Sequence, residues 1–174
     1  MRVLVAAASK HGGTAEMAGW IGRTLSESGI DAVVMATEDV GGLDGFDAVV
    51  LGSAVYAGHW LDSGRRLAMG LAPRLAERPV WLFSSGPVGD PPRPDGEPNG
   101  IDDLVEATGA REHRVFGGRI ERGDLGVMER VMVSALHVPD RDDRHRDEVI
   151  DWARTIAADV SARSRDGALA PSLA

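Results

Sequence analysis

RVLVAAASKHGGTA, residues 2–15, decides the reading of the fold. Its strand Arg2–Ala8 is apolar from Val3 onward with no polar alternation, the pattern of a strand covered on both faces by helices. The stretch opens into Ser9-Lys10-His11-Gly12-Gly13-Thr14, where two glycines turn the chain and a helix is expected to begin near Thr14. A helix N-terminus offers unpaired N–H groups and the positive end of the helix dipole, which together attract an anion. The hexapeptide fits neither the G-x-x-x-x-G-K nor the G-x-G-x-x-G pattern. With Lys10 as its basic residue, it suits a permanent monophosphate held by amides and hydroxyls better than a transferring γ-phosphate, which needs a lysine and magnesium ligands. The same residues also admit a purely structural role, with Gly12-Gly13 as a turn and Thr14 as a helix cap.

Four more short apolar runs follow, at Ala32–Ala36, Ala48–Gly52, Val80–Ser84 and Arg114–Phe116. Helical stripes lie between or after them: Met17, Ile21 and Leu25; Leu67, Leu71 and Leu75; Ile101, Leu104, Val105 and Thr108; Val149, Ala153, Ile156 and Val160. Strands alternating with helices specify a doubly wound α/β domain with a parallel sheet and right-handed crossovers. The domain is expected to span 1–162, with 163–174 as a disordered tail of Ser, Ala and Arg. Two stretches break the alternation, the Pro- and Gly-rich 84–99 and the long connection 117–147.

Composition narrows the function classes. The chain has 174 residues, 43% of them hydrophobic and 26% charged, as a globular domain does. It has no cysteine, so neither a disulfide framework nor a thiolate chemistry is available. A net charge of −8 argues against nucleic acid as a partner. The chain enters a strand at once and carries no apolar run of membrane-spanning length, so a cytoplasmic protein is expected.

Two further loops bear on the anion site. Ser53-Ala54-Val55-Tyr56-Ala57-Gly58-His59-Trp60 follows the third strand, and Ser84-Ser85-Gly86-Pro87-Val88-Gly89-Asp90 follows the fourth. In an open parallel sheet, loops at the carboxyl ends of the first, third and fourth strands meet at one crevice. Aromatic residues among glycines suit a flat ligand, stacked on a ring and read at its edge by backbone groups. The three loops together suggest a monophosphate joined to a planar heterocycle.

On these loops the chain resembles the flavodoxin superfamily. S-x-x-G-x-T at Ser9, Gly12 and Thr14 matches that family's phosphate signature, with His11 where Thr or Ser is more usual. Within the superfamily it looks most like the branch containing menaquinone-dependent protoporphyrinogen IX dehydrogenase. That likeness rests on G-S-A-V-Y-A-G-H-W from Gly52, F-S-S-G-P-V-G from Phe83, and F-G-G-R-I from Phe116 leading into the Met-rich 127–132. The resemblance implies a flavodoxin-like, five-stranded sheet in the order 2-1-3-4-5, helices on both faces, and FMN as cofactor. Ser9, Lys10, His11, Gly12, Gly13 and Thr14 would hold the phosphate. Ser53, Ala54, Val55, Tyr56, Ala57, Gly58, His59 and Trp60 would line one face of the isoalloxazine. Ser85, Gly86, Pro87, Val88 and Gly89 would line its pyrimidine side. A peptide flip at Gly58 would let a carbonyl meet the ring nitrogen N5. Ala57 departs from the branch, which has an aromatic there, so stacking would fall to Tyr56 or Trp60.

His59 is a candidate proton donor, set against an ordinary solvent-facing histidine. Arg65 and Arg66 are expected on a solvated helix face. His137, Asp140, Asp142, Asp143, His145 and Asp147 match no metal-loop spacing, and the interleaved arginines would pair the carboxylates. Met128, Val131, Met132, Ala135 and Leu136 form a stripe within 125–138, read either as core or as a docking surface with at most peripheral membrane contact. The implied activity is an FMN oxidoreductase passing electrons from a reduced substrate or carrier to a quinone-like acceptor. The alternatives are an electron carrier acting on protein partners and a non-redox domain that has lost FMN.

Overall fold

The computed structural model describes residues 1–86, 96–120 and 141–169. In chain order the elements are β1 (Arg2–Ala8), α1 (Gly13–Glu27), β2 (Asp31–Ala36), β3 (Ala48–Tyr56), β4 (His59–Trp60), α2 (Asp62–Gly70) and α3 (Ala72–Leu75). There follow β5 (Val80–Ser85), α4 (Ile101–Thr108), β6 (Glu112–Phe116), β7 (Arg119–Ile120), β8 (Arg141–Asp142) and α5 (Arg146–Leu169). The main sheet runs β2-β1-β3-β5-β6, all parallel, with β4 added antiparallel to β3. Its five principal strands, counted in chain order, therefore lie as 2-1-3-4-5, as expected. A second, two-stranded sheet pairs β7 with β8.

Successive side chains of a strand point to opposite faces, and β1 shows why its sequence is apolar throughout. Val3, Val5 and Ala7 enter a core shared with Met17, Ile21 and Leu25 of α1 and Trp152, Ile156 and Val160 of α5. Leu4 and Ala6 enter the opposite core with Val49, Leu51, Leu82, Ala68, Leu75, Ile101 and Leu104. Leu4 and Leu82 are 0% exposed, and each such leucine contributes about 2 kcal/mol of burial free energy. Close strand contact depends on Gly52, because a Cβ there would overlap the Phe83 ring. Edge strand β2 pairs with β1 alone, and its Val34 is 45% exposed.

Three expectations change. The stripe Leu67, Leu71 and Leu75 is split between α2 and α3, because Pro73 in the first turn of α3 has no N–H to continue a helix from α2. The last helix continues past 162 to Leu169, so the expected tail is helical where it is described. Ala and Arg are good helix formers without any packing, and Arg163 pairs with Asp159 one turn back at 3.6 Å. Finally, part of the 117–147 connection is regular, since β7 and β8 form its stem.

Candidate functional site

The anion loop is built as a helix start without a side-chain cap. Gly12 is the N-cap of α1, with φ 81°, a left-handed conformation that glycine adopts without strain, and among the described residues the helix start has no side-chain cap hydrogen bond. Thr14 therefore does not cap the helix; it lies inside the first turn and is buried. Beside it, the buried Ser9 Oγ has no hydrogen-bond partner among the described residues. A buried hydroxyl left so costs about 1–3 kcal/mol. Nothing lies within 4 Å of where a Gly12 Cβ would sit. An open cradle of amides beside a buried, unmatched hydroxyl fits a phosphate.

The second loop is not a loop. Val55 pairs with Trp60 and Tyr56 with His59 across a two-residue turn. Both turn residues have positive φ, Ala57 at 48° and Gly58 at 79°, the geometry of a tight hairpin whose twist suits its strands. Ala57 is the one non-glycine with positive φ among the described residues, a local strain of about 1 kcal/mol or more. The hairpin sorts its side chains by the strand period. Tyr56 and His59 are exposed, whereas Trp60 is 6% exposed and packs in the core with Val55 alongside.

This sorting corrects two expectations. Trp60 cannot stack on a ligand; its Nε1–H donates to Ser84 Oγ at 2.7 Å within the core. Ser53 is also turned inward, donating to the Ala54 carbonyl at 2.9 Å and accepting from the Leu61 amide at 3.0 Å. It closes the base of the hairpin and does not face a crevice. Tyr56 is the exposed aromatic, and it meets the first loop: Lys10 Nζ lies 5.3 Å from its ring centroid, and its ring stands 6.2 Å from that of His11. The loops after β1 and β3 therefore converge. Ala54 and Val55 are half-buried behind Tyr56.

At the turn itself, Gly58 O accepts the Asn99 amide at 2.7 Å. A Gly58 carbonyl rotated elsewhere would have to break that bond. A Cβ on Gly58 would meet Asn99 Nδ2 at 2.8 Å, so the close approach of these segments also needs glycine there. His59 Nδ1 lies 2.9 Å from the Ala57 carbonyl. Nδ1 carries the hydrogen of that bond, so the neutral ring presents Nε2 as an acceptor, and proton donation from Nε2 requires the protonated form. In the third loop Ser85 is buried, and the Gly86 amide donates to Phe116 O at 2.9 Å. Pro87, Val88 and Gly89, like 125–138, lie outside the described residues.

Two groupings escaped the sequence reading. Glu97, His113, Ser84 and Trp60 form one chain of contacts, with His113 Nδ1 at 2.6 Å from Glu97 and Nε2 at 2.8 Å from Ser84 Oγ. Burial lowers the His113 pKa from its ordinary value, against the opposing pull of Glu97 and Asp102. The second grouping is Arg119 and Arg144, which reach back to the His11 and Gly13 carbonyls at 3.3 and 3.2 Å. F-G-G-R-I drew notice to Arg119, but no local pattern ties either arginine to a loop more than a hundred residues earlier. Arg144 pairs with Asp142, as the interleaved arginines suggested, and holds that carboxyl below the usual carboxylate range. Arg65 and Arg66 are exposed on α2.

The sequence model described as a flavodoxin domain matches residues 4–147. The chain belongs to the flavodoxin domain family. Membership carries a flavin-binding redox role. No curated protein matches the sequence. Among solved structures, a flavodoxin from the domain Archaea superposes with a TM-score of 0.62 at 18% identity, covering 92% of this chain and 99% of that one. Rubredoxin oxygen:oxidoreductase of Desulfovibrio gigas gives 0.62 at 16%, covering 92% of this chain, which spans 36% of that protein. A flavone reductase gives 0.58 at 11%, covering 98% and 65%. At these identities the likeness is one of fold. Among the described residues, no helix of this flavodoxin-domain protein is long and apolar enough to cross a membrane.

Proposed function

We propose that the protein is an FMN-dependent oxidoreductase, taking electrons from a reduced substrate or carrier and passing them to a quinone-like acceptor. The observation that carries the FMN reading is the buried Ser9 hydroxyl without a described partner, beside an α1 start that has no side-chain cap among the described residues. Ser9, the amides of Gly12, Gly13 and Thr14, and the Thr14 hydroxyl would hold the phosphate, with Lys10 offsetting its charge. Tyr56 would offer a stacking face, and the backbone of Ser85 and Gly86 would read the ring edge. Flavin, when bound, supplies the electron chemistry. The chain's part is to hold the ring, exclude water from one face with Tyr56, and move a proton at His59 Nε2. The quinone-type acceptor is supported by the sequence resemblance at 52–60, 83–89 and 116–120.

Titrating the full chain with FMN and with riboflavin tests this reading. FMN is expected to bind more tightly and to raise the melting temperature, as a ligand of the native state must. No binding of either flavin would overturn it. With FMN bound, direct turnover of menadione supports the quinone-type acceptor, and electron transfer only to an added redox protein would favour the carrier.

A further inference from the structure

The stem formed by β7 and β8 is bolted to the start of α1. Arg119 and Asp142 are cross-strand partners in that stem. Asp142 accepts from Arg144 through both oxygens, Nε and Nη2 each at 2.7 Å, a forked pairing that fixes the plane of the guanidinium. With its plane set, Arg144 directs Nη1 to Glu16 at 2.7 Å and to the Gly13 carbonyl at 3.2 Å. Its guanidinium carbon lies 5.1 Å from the Trp20 ring centroid, and the side chain is 4% exposed. From the other strand Arg119 donates to the His11 carbonyl at 3.3 Å.

Peptide planarity turns these contacts into a statement about the anion loop. In a trans peptide the C=O and the following N–H point in opposite directions. A His11 carbonyl drawn toward Arg119 therefore aims the Gly12 N–H the other way, and Arg144, bound to the Gly13 carbonyl in the first turn of α1, adds a second hold on a peptide the helix already directs. The helix already orients the peptide after Gly12, whose carbonyl accepts the Glu16 amide at 2.9 Å. It cannot orient the peptide after His11, which precedes the helix, and there Arg119 acts. Both arginines are ion-paired, Arg119 with Glu16 and Arg144 with Glu16 and Asp142, so their effect is one of direction rather than of added positive potential.

We propose that Arg119 and Arg144 are positioning residues of the phosphate site, acting as a clamp on the outer side of the loop that turns its amides toward the ligand. This rests on the reading that Ser9–Thr14 holds the FMN phosphate. Loss of one charge-assisted clamp contact is expected to weaken FMN binding about tenfold and to leave riboflavin binding unchanged, because riboflavin has no phosphate.

The test measures both dissociation constants for the full chain and for Arg119→Gln, Arg144→Gln and Arg144→Lys. General damage to the fold weakens both flavins alike, whereas the clamp moves only their ratio. Arg144→Lys keeps the charge but cannot span Asp142, Glu16 and a carbonyl together, so it should lose the ratio as Arg144→Gln does. Arg119→Gln, whose side chain is 22% exposed in the parent, decides the matter should the buried Arg144 variants not fold. An unaltered ratio in Arg119→Gln and Arg144→Gln, or a full ratio in Arg144→Lys, overturns the clamp while FMN binding by the parent stands. A parent that binds no FMN overturns the underlying reading instead, and the clamp with it.

Discussion

His113 offers a stability experiment whose outcome follows from counting donors. An indole N–H can only donate, so Trp60 Nε1 gives its hydrogen to Ser84 Oγ. The serine hydroxyl then donates to His113 Nε2, and the neutral ring donates from Nδ1 to Glu97. Each group is satisfied only in this order. His113→Leu leaves the hydroxyl hydrogen of Ser84, a residue 0% exposed, without an acceptor. That costs about 2 kcal/mol, whereas the exposed Glu97 turns to water at little cost. Ser84→Ala leaves both the Trp60 N–H and the His113 Nε2 unmatched, at least about 2 kcal/mol. In the double variant the orphaned hydroxyl is gone, so the expected total is about 2 kcal/mol and not 4. Urea unfolding at pH 7.5 measures the four corners of this cycle. Costs that add to within about 0.5 kcal/mol would refute the relay. The pH arm has a definite sign. The folded-state pKa of His113 is lowered, so below about 6.5 the unfolded chain takes up the proton first and the parent loses stability as pH falls. Glu97 and Asp102 face the ring and moderate this, but do not reverse it. His113→Leu lacks the titration, so its deficit should narrow by up to about 1.4 kcal/mol per pH unit on acidification. A deficit constant from pH 7.5 to 5.5 would count against a buried neutral histidine.

Other substitutions probe the frame and the site separately. Gly52→Ala drives a methyl into the Phe83 ring and should cost about 3 kcal/mol, seen as a melting temperature lower by roughly 10 °C; Gly70→Ala, with nothing within 4 Å, should be neutral or slightly stabilising. Ala57→Gly relieves the positive φ at that position and should raise stability by up to about 1 kcal/mol by urea unfolding, whereas Gly58→Ala should lower it by at least as much, since it strains the backbone and presses on Asn99. Ser9→Ala should have opposite effects: about 1 kcal/mol more stability without flavin, because an unmatched buried hydroxyl is removed, and weaker FMN binding in the same titration. Thr14→Val should weaken FMN about tenfold more than riboflavin, measured by flavin fluorescence.

The frame was legible because its signals are local. Val3–Ala8 is apolar at successive positions since Val3, Val5 and Ala7 face one helical layer and Leu4 and Ala6 the other. Glycines before and after helices marked the starts and stops, as Gly12 and Gly109 do at positive φ. The misplaced boundaries have local causes of another kind. Pro73 interrupts an otherwise continuous leucine stripe, and α5 outlasts its apolar face, with Arg163 paired to Asp159 one turn back.

Of the three loops, the placement after β1 and β3 was legible in the sequence, and the directions of their side chains much less so. Ser53 through Trp60 read as one lining loop, which would have given every residue in it the same standing. A turn of only two residues instead keeps strand alternation running through both arms, so Tyr56 and His59 share the exposed face while Trp60 joins the core. Residue type misleads here: the larger aromatic is the buried one, and the serine ahead of it ties the hairpin shut. The supporting residues are farther still from any sequence signal. His113 meets Ser84 because β5 and β6 are neighbours, and Arg119 meets His11 because the β7–β8 stem folds back over α1. A motif can mark Ser9–Thr14 as a candidate anion loop, but the arginines that hold its His11 and Gly13 carbonyls come from more than a hundred residues away and are brought there only by the folded chain.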